Sequence, residues 1–381
     1  MSSRRRWRPS LRAEGGADPM GASRPMRRLV LSGSARERGW AHGERYRDEI
    51  RAYAEDRVAL SAGGQWAGRS ADRDEILALA DSMLPAHRAY SPDLTEEMEA
   101  MAEACDLSPA EAVIVGGFTD FVDAVRALQP DVPEEDDCTA MLVPPSLGAE
   151  ERGYLAQTWD MHESATEHVA LLDIQPAEGP RAFVFSTVGC LGQIGLNEAG
   201  IAVGINNLSA AEGTRGVTWP FVVRQALAQS NLEDALKAVL DAPLAGAHHY
   251  LLMDRSGRGY DIEAMPQGHA LRKLEQEPLV HTNHCVSPTT QAWQAPKAEV
   301  LMSSSQARLT RAIELLSGDA IGVAELMEIT RDPEAICQVA RPPYHIESSG
   351  AAVMSPATGE LWAVWGLPSE NEYDHFEFSD E

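Results

Sequence analysis

Cys138 stands at the junction of two contrasting segments, which makes it the first candidate for a reactive residue. The acidic, proline-broken residues 129–137 precede it and are unsuited to a helix interior or a central strand. A β-type run from Thr139 to Val143 follows it. A cut between Asp137 and Cys138 would place an α-amine (pKa about 7.7–8.0) and a thiol (pKa about 8.5) on one residue, so the amine can take the thiol proton near neutrality. The junction predicts a self-cleaving cysteine nucleophile.

Two further polar residues stand at the ends of predicted strands and could assist such a nucleophile. Asp160 ends the strand predicted from Tyr154, and an acid at a sheet rim can orient the new amine. Asn283, in the strand predicted from Leu279, offers a side-chain amide for the oxyanion that forms during acyl transfer. We expect Cys138, Asp160 and Asn283 to form the catalytic group.

Other functions fit parts of the same pattern. A papain-like hydrolase would use Cys138 with His281 or His284 and Asn283 in an uncut chain. A metallohydrolase would use His281 and His284, joined by His162 and Cys285, although residues three apart on a regular strand point to opposite faces. A chain that has lost catalysis would remain as a binding protein.

The chain divides around this junction into four parts. Residues 1–27 predict a disordered tail, and residues 28–128 a helical N-terminal segment with capping boxes at Ser34 and Ser108. Residues 129–137 form the acidic linker. Residues 138–381 alternate strands with helical pairs, which predicts an α+β fold of two facing sheets with helices outside.

Composition limits the class of partner. The 381 residues carry 32 Lys+Arg against 58 Asp+Glu, a net charge of −26 that disfavours nucleic acid and anionic membranes. Five cysteines without a C-x-x-C pair argue against a disulfide framework. Without an apolar stretch of about 20 residues, the sequence predicts a soluble, cytoplasmic protein, and we expect no cofactor and no metal.

Several short segments, in this order, resemble the isopenicillin N acyltransferase family of N-terminal-nucleophile hydrolases, which is related to the bile-salt (choloylglycine) hydrolases and penicillin V acylases. The resemblance covers residues from about 30 to about 370. Its segments are Arg36-Glu37-Arg38-Gly39 with His42-Gly43, Cys138-Thr139, Gln157-Thr158-Trp159-Asp160, the run from Gly192 to Gly200, Asn206-Asn207-Leu208 and His281-Thr282-Asn283-His284.

The resemblance implies a four-layer αββα sandwich and self-cleavage before Cys138. It also implies acyl transfer or amide hydrolysis through an acyl-cysteine thioester, with a small acyl donor or amide as substrate, such as an acyl-coenzyme A or a short peptide. The two fragments would stay together as a heterodimer. Thr139 and His281 are accessory candidates. Two positions depart from the family pattern: Asp137 replaces a glycine, and Gln338 stands where an arginine is expected, so Arg341 becomes the candidate arginine.

Overall fold

The computed structural model describes residues 24–63, 70–126, 137–318 and 320–378. Strands account for the centre of this structure. They are β1 (Arg28–Gly33), β2 (Asp137–Val143), β3 (Tyr154–His162), β4 (Val169–Pro176), β5 (Ala182–Thr187), β6 (Ile194–Asn197), β7 (Ala202–Asn207), β8 (His248–Met253), β9 (Gly259–Met265), β10 (Gly268–Lys273), β11 (Leu279–His281), β12 (Ile346–Ser355), β13 (Glu360–Trp365) and β14 (Asp374–Glu377).

The helices lie mainly before β2 and in two later pairs. They are α1 (Ala35–Gly63), α2 (Arg73–Asp81), α3 (Leu84–Tyr90), α4 (Pro92–Ala104), α5 (Pro109–Gly116), α6 (Phe118–Arg126), α7 (Trp219–Leu227), α8 (Leu232–Leu240), α9 (Pro288–Gln291), α10 (Glu299–Leu315) and α11 (Val323–Thr330). None of the helices in these described ranges is both long enough and apolar enough to cross a bilayer.

The strands form two sheets that face each other. The eight-stranded sheet has the order β1-β4-β5-β6-β7-β8-β9-β10, and the six-stranded sheet has the order β11-β2-β3-β12-β13-β14. Strands β2 and β3 contact β7 and β8 across the interface. Helices α7 and α8 pack on the larger sheet, while α10 and α11 pack on the smaller one. This arrangement confirms the predicted αββα sandwich.

Local capping signals start two N-terminal helices where the sequence predicts. The Oε2 atom of Glu37 accepts from the Ser34 N–H at 2.8 Å, just before α1. Ser108 and Glu111 satisfy each other's backbone N–H groups at the start of α5. Each pair occupies backbone donors that a helix N-terminus otherwise leaves unmet, so a few residues suffice to set the boundary.

The predicted all-helical N-terminal segment is wrong at its beginning. Residues 28–33 form β1, which pairs in parallel with β4 at the edge of the larger sheet. The run is short, and its pairing partner lies far along the chain, so no local periodicity marks it. The predicted tail is also wrong for its last residues, because Arg27 donates to the Val169 carbonyl and to Glu49. Residues 1–23 of that tail lie outside the described residues.

Alternation along β2 directs Cys138 towards the space between the sheets. Ala140 and Leu142 join the interlayer core, whereas Met141 and Val143 pack in the cluster beneath α10 and α11. Cys138 has the same parity as Ala140 and belongs to the interlayer core. Most of the predicted linker, residues 129–136, lies outside the described residues, but Asp137 is already part of β2 and pairs with Asp160.

Candidate active site

Cys138 begins the buried part of β2 and has both backbone and side-chain contacts. Its N–H donates to Asn283 Oδ1 at 2.6 Å. Its Sγ lies 3.9 Å from the carbonyl oxygen of Asp160. The residue is only 4% exposed, and it lines an internal cavity between the layers. In the described part of the chain, Cys138 is therefore almost fully covered and borders that cavity.

Asn283 presents its amide oxygen, rather than its NH2 group, to Cys138. Oδ1 also accepts from Arg308 Nη2 at 3.1 Å, while Nδ2 donates to the carbonyl of Asn207 at 3.1 Å. The backbone N–H donates to Ser305 Oγ on α10 at 2.9 Å, which fixes the segment after β11. In this state Asn283 is arranged to hold the nitrogen of Cys138, and the NH2 expected to stabilise an oxyanion is engaged elsewhere.

Arg308, on α10, is a site residue that the sequence analysis missed. Its side chain is fully buried, and Nη1 donates to the carbonyl oxygen of Cys138 and, at 3.3 Å, to Thr139 Oγ1. A buried cation near a thiol and an amine favours the thiolate and the neutral amine. An arginine within an amphipathic helix carries no local sign that it points inward, because its burial depends on how α10 packs against β2.

Asp160 is held by two hydroxyl groups. Ser348 Oγ donates to Oδ1 at 2.6 Å, and Thr158 Oγ1 donates to Oδ2 at 3.3 Å. Ser348 is itself fixed, because its Oγ accepts from the N–H of Gln338 at 2.9 Å. The carboxylate is therefore fully buried and oriented, and Asp160 pairs with Asp137 across β2 and β3.

Two of the three accessory candidates, Thr139 and Arg341, lie in different places. Thr139 is buried beside Cys138, and its N–H donates to Thr158 Oγ1 at 3.2 Å. Arg341 is exposed and lines a surface groove of about 560 Å³ together with Gln338 and Cys337. Cys138 does not line that groove. Within the described residues, Arg308 is thus the arginine that contacts Cys138.

The histidines proposed for a papain-like site are engaged with other groups. His281 directs Nε2 to Glu263 at 2.9 Å and Nδ1 to the carbonyl of Thr282 at 2.8 Å. His284 directs Nδ1 to Ser305 Oγ at 2.7 Å. Burial, followed by the charge of His281, lowers the pKa of His284 to about 4. Both ring nitrogens of His281 therefore face groups other than the thiol of Cys138.

The residues that the structure groups as possible metal ligands differ from those predicted from the sequence. In the described ranges, His281 forms a possible ligand group with His249 and Asp261, all three buried, rather than with His284, His162 or Cys285. The rings of His249 and His281 stack 3.8 Å apart with an angle of 11° between their planes. Parallel stacked rings send their lone pairs along parallel lines, which does not suit a shared tetrahedral ion. The ring arrangement therefore favours stacking over metal binding.

The cavity beside Cys138 is small and largely apolar. Its volume is about 30 Å³, and its walls include Phe118, Trp159, Met161 and Ile205. A volume of this size holds about one or two water molecules. A ligand larger than one or two water molecules does not fit in the cavity as it stands.

Comparisons with known proteins identify the family of this chain. The family model for acyl-coenzyme A:6-aminopenicillanic acid acyltransferase matches residues 147–369, which begin after Cys138 and include Asp160, Asn283 and Arg308. The 40 kDa form of acyl-coenzyme A:6-aminopenicillanic-acid-acyltransferase from Emericella nidulans is 24% identical over 298 residues, 77% of this chain and 78% of that protein.

Solved structures that match part of this chain include two hydrolases. A variant of the conjugated bile acid hydrolase of Clostridium perfringens has a TM-score of 0.44 at 12% identity, over 64% of this chain and 97% of that one. The penicillin V acylase of Agrobacterium tumefaciens has a TM-score of 0.34 at 13% identity, over 59% and 82%.

Proposed function

Because the chain belongs to the acyl-coenzyme A:6-aminopenicillanic acid acyltransferase family, we propose that it transfers acyl groups or hydrolyses amides through Cys138 after cutting its own backbone before that residue. The observation that carries this proposal is the 2.6 Å contact between the Cys138 nitrogen and Asn283 Oδ1. Cys138 also lines the cavity between the sheets. A nitrogen held in place beside a cavity-facing thiol is what an N-terminal nucleophile requires.

The cut would begin when Sγ of Cys138 attacks the carbonyl carbon of Asp137. The C–N bond breaks, the nitrogen takes a proton and becomes the α-amine of Cys138, and Asp137 is left as a thioester on Sγ. Water then hydrolyses the thioester, which restores the thiol and leaves a carboxylate on Asp137. Asn283 Oδ1 holds the nitrogen throughout, and the charge of Arg308 stabilises the thiolate.

Turnover would use the same atoms. The α-amine takes the thiol proton, Sγ attacks the substrate carbonyl, and the leaving group departs with that proton, so that an acyl thioester remains on Cys138. Water completes a hydrolysis, whereas an incoming amine completes a transfer. Asp160, held by Ser348, orients the α-amine. Asn283 Nδ2, once it leaves the Asn207 carbonyl, supplies the oxyanion donor.

The substrates we propose are small acyl donors or amides, including acyl-coenzyme A and short peptides. The N-terminal fragment would remain bound after the cut, because β1 pairs with β4 and α5 and α6 contribute residues to the cavity beside Cys138. The mature enzyme would therefore be a heterodimer of its own two fragments.

Intact-mass measurement under denaturing conditions tests the proposal. We expect fragments that end at Asp137 and begin at Cys138 in the wild-type protein. The Cys138→Ala variant should remain a single chain without activity. The Cys190→Ala variant is a matched control, because Cys190 is another buried thiol and does not line the cavity. A wild-type protein that is fully active as one uncut chain would overturn the proposal.

A further inference from the structure

Arg57, near the C-terminal end of α1, is a fully buried cation whose hydrogen bonds are incomplete. Its Nη2 donates to Ser164 Oγ at 3.0 Å and lies 3.4 Å from the half-exposed carboxylate of Asp56. Its Nε and Nη1 atoms are buried and have no hydrogen-bond partner among the described residues. Three N–H donors are therefore unmet, one on Nε and two on Nη1.

Arg57 lines the same cavity as Cys138. The rings of Tyr53 and Phe118 lie 4.6 and 5.0 Å from its guanidinium carbon and hold the group in place. No aspartate, glutamate or lysine is among the cavity-lining residues in the described part of the chain. The cavity that contains Cys138 is thus largely apolar and carries the positive charge of Arg57.

Other polar atoms around this cavity are also unmet. Thr119 Oγ1, Gln193 Oε1 and Trp219 Nε1 are buried in its walls without a hydrogen-bond partner in the described structure. Most buried polar atoms in folded proteins are hydrogen-bonded, so a concentration of exceptions in one cavity needs an explanation. A polar ligand that enters the cavity would supply the missing partners.

We propose that Arg57 binds a carboxylate group of the substrate and so determines specificity. This inference rests on the proposed function, because it concerns what is brought to Cys138. A carboxylate supplies both the opposite charge and acceptors for the free N–H groups of a guanidinium. Since Arg57 lies in the N-terminal fragment and Cys138 begins the other, the substrate site is formed by both fragments. The carboxylate belongs either to the acyl part or to the amine part of the substrate.

Alkylation of Cys138 with iodoacetate and iodoacetamide tests the charge preference without a known substrate. Both reagents transfer a two-carbon group to sulfur with loss of iodide, and they differ in whether that group carries a carboxylate. Peptide mass gives the rate at which each reagent alkylates Cys138. We expect the ratio of the iodoacetate rate to the iodoacetamide rate to fall about tenfold or more in Arg57→Met. Arg57→Lys should keep most of the preference. Arg51→Met, which removes an exposed charge from the same helix, should leave the ratio unchanged.

The outcomes separate this inference from the proposed function. If Cys138 is alkylated with the same ratio in wild type and Arg57→Met, the carboxylate proposal is wrong while the nucleophile stands. If neither reagent modifies Cys138 in active protein, the proposed function fails. Should Arg57→Met not fold, protection of wild-type Cys138 from iodoacetamide is compared for glutarate and glutaramide, and equal protection would contradict the inference.

Matched substrates distinguish the two possible positions of the carboxylate. Glutaryl-p-nitroanilide against valeryl-p-nitroanilide tests the acyl part, and phenylacetylglycine against phenylacetylglycinamide tests the amine part. In one pair the carboxylate should raise kcat/KM in wild type, and Arg57→Met should remove that advantage. If the carboxylate gives no advantage in either pair, Arg57 does not select it.

Discussion

Two buried arginine sites in this molecule differ in how their charge is balanced. Arg38 on α1 and Arg224 on α7 both donate to Glu97 on α4, at 2.9 Å from Arg38 Nε and 2.8 Å from Arg224 Nη1. Arg57, also on α1, has three N–H donors without an acceptor in the described structure. The first site is complete without a ligand and joins helices, whereas the second is left open beside Cys138. Buried charge alone does not mark a functional site, but incomplete pairing at a cavity does.

The pKa of Glu97 reflects its pairing. Burial alone would raise this pKa, but the charges and hydrogen bonds of Arg224 and Arg38 outweigh burial, and the net pKa is lowered. A carboxyl group whose pKa is lowered by folding stabilises the protein at pH values above its ordinary, unfolded-state pKa. That stability is lost as the pH falls through the folded-state pKa. Near pH 7 the contribution is fully present.

The largest effect is expected from Glu97→Gln, which breaks the complete site. Two buried guanidinium groups would lose their carboxylate, and we expect the free energy of unfolding in urea at pH 7 to fall by about 3–5 kcal/mol. The control is Glu103→Gln. The exposed ion pair that Glu103 forms with Arg36 contributes about 0–1 kcal/mol to the free energy of unfolding. If the two variants lose equal stability, the distinction between the sites is wrong.

A smaller effect is expected from Arg308→Lys, which keeps the charge beside Cys138 but loses the planar fork. The lysine cannot reach both the Cys138 carbonyl and Asn283 Oδ1 as Arg308 does. We expect self-cleavage, followed by intact mass over time, to slow about tenfold, which corresponds to about 1.4 kcal/mol. Arg311→Lys, on the same helix but paired with Asp332 instead of Cys138, is the control. Equal rates in all three proteins would exclude a role for the fork.

His42 lies beside the site formed by Glu97 with its two arginines, and we expect it to make the stability of the fold depend on pH. Burial, opposed by Glu97 and assisted by Arg224, lowers the pKa of His42 to about 4. Since the unfolded chain binds this proton near pH 6.5, stability is lost as the pH falls from about 6.5 to about 4, by up to 1.4 kcal/mol per pH unit.

His249 and His284 also have pKa values of about 4, so they too make the free energy of unfolding depend on pH. The variant His42→Gln isolates the contribution of His42. Unfolding free energies in urea between pH 4.5 and 7 should change less steeply with pH in the variant. An unchanged slope would mean that His42 is charged in the folded protein.

The smallest effect on stability is expected from Arg57→Met, which removes the charge from the open site. A buried, incompletely paired guanidinium gives little net stabilisation, and an apolar side chain of similar length can replace it without loss. We expect the free energy of unfolding to change by less than about 1 kcal/mol, in contrast to Glu97→Gln. A loss as large as that of Glu97→Gln would show that Arg57 is structural.

The sequence predicts features that are encoded by neighbouring residues. The capping boxes at Ser34 and Ser108 set the starts of α1 and α5. The β-type run predicted from Thr139 to Val143 ends where β2 ends and starts two residues after the observed start at Asp137. Each of these signals depends on hydrogen bonds or backbone angles within a few positions.

Features that depend on distant parts of the chain were missed. Arg57 and Arg308 lie in helices where arginine is ordinarily exposed, and their burial follows from packing against other elements. The orientation of the Asn283 amide depends on Asn207 and Arg308, which come from two other elements. Such contacts are set by tertiary packing and not by local spacing.

The edge position of β1 limits how the protein can be produced. A recombinant chain that starts at Cys138, made to imitate a mature amino terminus, would leave one side of β4 without the partner that runs from Arg28 to Gly33. Open strand edges recruit other chains and lead to aggregation. Expression as one continuous polypeptide, with any processing left until folding is complete, avoids that exposed edge.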